Sequence, residues 1–69
     1  MNRICNDDEL AIMIERIQWF IQQMLHLRRT ESNLINFRAA AGGFISEIDR
    51  MQLEVREYLS SHPTEQNAI

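Results

Sequence analysis

From Asp7 to Arg29 the chain contains neither glycine nor proline, and its apolar residues recur at alternating steps of three and four. Leu10, Met13, Ile17, Phe20, Met24 and Leu27 form that series, with Ile14 and Ile21 widening the same stripe. A period near 3.6 sustained over almost three heptads belongs to an amphipathic helix; a half-buried strand would alternate every second residue. Asn6, Asp7 and Asp8 offer capping oxygens at its start, and Glu9 places negative charge where the helix dipole favours it. The spacing therefore predicts a helix over about 7–29.

A second series follows. Leu34, Phe37, Ala41, Phe44, Ile48, Met51, Val55 and Tyr58 keep the same steps, with Ile45 and Leu59 beside them. Between the two lies Thr30-Glu31-Ser32-Asn33, polar and rich in N-cap candidates, preceded by Arg28 and Arg29 where cations complement a helix C-terminus. The turn is expected there, and a second helix over about 33–61, stopped by Pro63. Gly42-Gly43 interrupts this helix at a cost of roughly 1 kcal/mol per glycine relative to Ala. An inserted turn would shift the heptad phase, and the phase from Leu34 to Tyr58 passes through unshifted, so one long helix is expected in preference to two short ones.

Two amphipathic helices joined by a short connection pack side by side, which makes the expected fold an all-α antiparallel two-helix hairpin over residues 1–63 with a disordered tail at 64–69. Sixty-nine residues bury too small a fraction of their surface to be comfortably stable without a disulfide, a metal or self-association. A single cysteine, Cys5, excludes a disulfide within the chain, and Cys5, His26 and His62 stand in no metal-ligand spacing. Self-association remains. Two hairpins facing one another would bury Leu10, Ile14, Ile17, Ile21 and Met24 against Phe37, Phe44, Ile48, Met51 and Val55, giving a dimeric four-helix bundle.

The net charge is −3, and every basic residue is an arginine. That balance gives no electrostatic footprint for nucleic acid or an anionic membrane. No run of 18 apolar residues is present, and the first residues lack the apolar stretch of a secretory signal, so a cytoplasmic protein is expected. Catalysis needs convergent groups, such as a nucleophile with its base or two carboxylates at a set separation, and the titratable residues do not converge by spacing. His26, His62 and Cys5 read as surface groups with no orienting partner. Glu47, Arg50 and Glu54 stand at i,i+3 and i,i+4 and read as a charge-laced, solvated face. No enzyme activity, cofactor or metal is expected.

Two features point to binding. Ile12 and Trp19, seven residues apart, share a face opposite the main stripe, where the same core cannot cover them. They are the candidate contacts for a protein partner. Ala39, Gly42, Gly43 and Ser46 leave a shallow strip on the second helix that another helix or a ring could approach. The basic cluster Arg28, Arg29 and Arg38 supplies the alternative, a small dimeric DNA-binding regulator with Ala39–Phe44 as the turn of a helix-turn-helix. Against it, the first helix is too long for that motif and few basic side chains follow.

The second half, from Asn36-Phe37-Arg38 through Gly43-Phe44-Ile45-Ser46-Glu47-Ile48-Asp49-Arg50-Met51-Gln52-Leu53-Glu54-Val55-Arg56-Glu57-Tyr58-Leu59 to His62-Pro63, resembles a group of short bacterial proteins with no settled activity or catalytic motif. In size and acidity that group is similar to antitoxin-like partner proteins. The resemblance implies no role for any individual residue. Taken with the empty chemistry, the expectation is a protein–protein interaction or regulatory module that acts as a homodimer.

Overall fold

Asn6 opens the first helix by accepting the backbone N–H of Glu9 on its side-chain oxygen at 2.8 Å, and Glu9 in turn accepts the N–H of Cys5 at 2.8 Å. One N–H of the first turn, which the helix cannot satisfy internally, is thus closed by the Asn6 cap, and Glu9 holds the backbone just ahead of that cap. In the computed structural model, which describes residues 4–61, helix α1 spans Asp7–Thr30 and helix α2 spans Leu34–Ser60. α1 ends one residue later than its expected bound, and α2 begins one residue later and ends one residue earlier. Pro63, His62 and the tail at 64–69 lie outside the described residues, among which there is no strand.

The connection is only Glu31 to Asn33, held by its own polar groups. The Glu31 N–H donates to the Leu27 carbonyl at 2.9 Å, the Asn33 N–H donates to Glu31 Oε2 at 3.1 Å, and Asn33 Oδ1 accepts the Asn36 N–H at 3.0 Å. Asn33 therefore ends the turn and caps α2 in the same residue. So short a link forces the helices to lie antiparallel.

The seam between them is the pair of three-four stripes. Met13, Ile17 and Met51 are its buried centre, with Phe20, Ile48 and Val55 packed against them, and Ala41 is buried further toward the turn. Phe20 and Phe44 meet edge to face across the seam at 5.9 Å between centroids, a geometry that aromatic quadrupoles favour. At the open end the Tyr58 hydroxyl donates to Asp7 Oδ1, tying the last turns of α2 to the first residue of α1. Gly42 and Gly43 are helical without positive φ, so α2 is continuous.

Two expectations need correction. Leu34 belongs to the stripe by spacing yet is exposed, because it is the first residue of α2, at the level where α1 is ending. Glu54, read as part of a solvated face, is 7% exposed. It stands three residues after Met51, at the edge of the seam, where helical geometry turns its carboxylate inward.

Candidate interaction surfaces

Successive residues of a helix point about 100° apart, so the residues on either side of a seam residue look to opposite flanks. Ile12 and Ile14 bracket Met13 in this way, and Trp19 and Ile21 bracket Phe20. The hairpin consequently has two flanks, both carrying apolar side chains.

On the first flank, Ile12 is 56% exposed and Trp19 is 55% exposed. Trp19 and Phe20 pack edge to face, with centroids 5.0 Å apart and planes at 85°, while more than half of Trp19 stays exposed. Charge occupies the α2 side of this flank. Arg50 bridges Glu47 and Glu54, with both nitrogen–oxygen distances 2.8 Å. The Arg50 hydrogen bond and charge hold the Glu47 carboxyl below its ordinary range, and Arg16 on α1 adds to the effect from across the seam. Oε1 of Glu54 is buried and has no hydrogen-bond partner.

On the second flank, Ile14, Ile21 and Leu25 of α1 and Ile45 and Leu59 of α2 are all exposed. Between the helices near the open end this flank holds an open groove of about 550 Å³, lined by Ile14, Ile17, Gln18, Gln52, Val55, Arg56, Leu59 and Ser60. No carboxylate lines it.

The residues expected to face a second hairpin divide between these settings. Ile17 and Met51 are consumed by the seam of one chain, Leu10, Met24, Phe37, Phe44, Ile48 and Val55 are half-buried along it, and Ile14 and Ile21 stand clear. Leu25, Ile45 and Leu59 join them on the open flank without having been singled out for it. Leu25 stands four residues after Ile21 and eleven after Ile14, and Ile45 and Leu59 are fourteen apart, spacings that return to one helix face and are the signal that places them there. The strip at Ala39, Gly42, Gly43 and Ser46 is exposed, and a Cβ at either glycine would meet nothing within 4 Å, so no ring of the same chain covers it.

Arg28, Arg29 and Arg38 lie exposed at the turn end. Asp7, Asp8 and Glu9 crowd the open end together with Glu57. His26 is exposed on α1, and among the described residues no group of His, Cys, Asp and Glu is placed to hold a metal ion. No described helix is long and apolar enough to cross a membrane. Comparisons with protein-family models, curated proteins and solved structures find no match to this chain.

Proposed function

We propose that this protein is a non-enzymatic interaction module that works as a homodimer and acts through another protein, in the manner of an antitoxin-like partner. The observation that carries the reading is the imbalance of apolar side chains. Ten large ones are exposed among the described residues, while the buried hydrophobic core is Met13, Ile17, Ala41 and Met51. Scattered exposed apolar residues are ordinary, but seven of these ten, Ile12 and Trp19 on one side and Ile14, Ile21, Leu25, Ile45 and Leu59 on the other, fall on two flanks of one hairpin, and contiguous apolar patches mark interfaces. A dimeric four-helix bundle would cover one flank and leave the Ile12/Trp19 flank for the partner.

Trp19 is the candidate anchor, since a half-exposed indole offers much apolar area and a fixed orientation at little entropic cost. Affinity capture from the native cell tests this with the wild-type chain and Trp19→Ala side by side. The expected result is a specific protein retained by the wild type and lost by the variant, whose stability falls by about 1 kcal/mol because Trp19 is 55% exposed. A loss of roughly 3 to 5 kcal/mol would instead mark Trp19 as core and remove it as the anchor.

The Arg28/Arg29/Arg38 cluster supports a second reading, a dimeric DNA-binding regulator, because all three are exposed at the same end of the hairpin. Salt-dependent retention on duplex DNA separates the two. Little retention near physiological salt is expected from a chain of charge −3.

A further inference from the structure

We infer that a second copy of this chain packs on the flank formed by Ile14, Ile21, Ile45 and Leu59, turned end for end, so that the turn of each hairpin lies over the open end of the other. This rests on the homodimeric reading above and deepens it by naming the face and the direction of packing.

Three observations choose the face and its occupant. The first is chemical. The groove on this flank is lined by apolar and amide side chains with Arg56 as its one charged residue, whereas the opposite flank carries the Arg50–Glu47–Glu54 network and would bury charges against a copy of itself. The second is shape. The groove of about 550 Å³ lies toward the open end, and the exposed side chains of Ile21, Leu25 and Ile45 stand farther toward the turn on the same flank. A two-fold axis across the middle of the hairpin, perpendicular to its length, sets the protruding residues of one copy into the groove of the other, and does so twice. An axis along the length would set groove on groove and leave both unfilled.

The third is charge. Arg28, Arg29 and Arg38 outweigh Glu31 and make the turn end basic, while Asp7, Asp8, Glu9 and Glu57 outweigh Arg56 and make the open end acidic. End-for-end packing brings unlike ends together, and the same-way arrangement brings like ends together, which is penalised. The area is sufficient. A flank about 40 Å long and about 20 Å across, from the rise and diameter of helices of this length, presents on the order of 800 Å², the amount each partner contributes to a standard interface.

The test uses the full chain with Cys5→Ser and a spin label at Ser32→Cys in the turn, measured by pulsed dipolar spectroscopy at a concentration where light scattering has given the mass. The expected result is a dimer with a broad label separation near the helix length, roughly 40 Å. A dimer with labels much closer than that overturns the end-for-end packing while leaving the homodimeric reading intact. A monomer by scattering, with no dipolar signal above background, overturns both. The face is tested separately. Ile45→Glu is expected to raise the dimer dissociation constant by a hundredfold or more, since it buries an unpaired carboxylate, and Ile12→Glu is expected to leave it within about threefold. The reverse order would refute this face. Should Ile45→Glu prove unfolded, the milder Gln52→Glu at the groove is expected to weaken the dimer at least tenfold while remaining helical, and an unweakened dimer there refutes the face equally.

Discussion

Glu54 binds Arg50 through one carboxylate oxygen and keeps the other buried without a donor, so its environment is part ion pair and part uncompensated acceptor. The Arg50 side chain is 46% exposed, and a pair with one partly solvated member contributes at most about 1 kcal/mol. A buried unsatisfied acceptor costs about 1–3 kcal/mol. The cost exceeds the gain, so Glu54→Met, which keeps length and volume, is expected to stabilise the protein by about 1 kcal/mol in urea denaturation. Destabilisation would show that the second oxygen has a donor in the assembled protein. Tyr58 makes the opposite kind of contact. Its hydroxyl donates to Asp7, and this bond, with desolvation and the negative charge of Asp7 and Glu9, pushes its pKa up to about 12 from an ordinary 10. The folded protein thus favours the neutral phenol. The contribution is fully present below pH 10, the unfolded value, and is lost as pH rises through about 12, because the unfolded chain gives up its proton first. The stability difference between wild type and Tyr58→Phe is expected to shrink over that window. A difference that stays flat from pH 10 to 12 would show that the bond to Asp7 does not form in solution.

Helix α2 shows what an unshifted heptad phase is worth against two glycines. Both Gly42 and Gly43 are helical, and neither has a neighbour within 4 Å of where a Cβ would stand. Each Gly→Ala change is expected to stabilise by about 0.5–1 kcal/mol, additively, as read from thermal unfolding of the single and double variants. A loss on substitution would mean that another chain approaches this strip closely enough to need the missing side chain. The helices and the turn were legible because Asn6 and Asn33 stand as caps at the head of long three-four series, where local chemistry and apolar period agree. The apolar stripe was legible too, through Met13, Ile17, Phe20, Phe44, Ile48 and Met51, but its spacing assigns Ile17, Phe44, Ile48 and Met51 to a face between two hairpins, whereas Ile17 and Met51 are buried within one. Which apolar residues the seam leaves over was not legible. A hairpin and a four-helix bundle draw on the same stripe, so Ile17 and Ile14 look alike on a helical wheel until the partner helix is placed. Glu54 escaped for a related reason: its i,i+4 spacing from Arg50 is the same on a solvated face as at a seam edge.

Two helices side by side form a single layer, and every core residue of such a layer is one side chain from solvent. Met13, Ile17 and Met51 are the large apolar residues that are buried, a small core against the entropy of ordering more than fifty residues. The remaining apolar area is on the flanks, where a second chain can remove it from water at about 25 cal/mol per Å². In the homodimer proposed above folding and pairing are one equilibrium, and stability depends on concentration by mass action. Each tenfold dilution of a protein that unfolds and dissociates together removes about 1.4 kcal/mol per dimer. For a chain of this size that lowers the melting temperature by on the order of 5 °C. The check is circular dichroism melting over a hundredfold range of concentration, from well above to well below micromolar. The expected curves shift downward together with dilution, and helicity at 25 °C begins to fall at the lowest concentrations. Coincident curves with undiminished helicity would mean that the seam alone sustains the hairpin. The exposed residues at Ile14, Ile21, Ile45 and Leu59 would then be available to a foreign partner, and the case for a second copy on that flank would be lost.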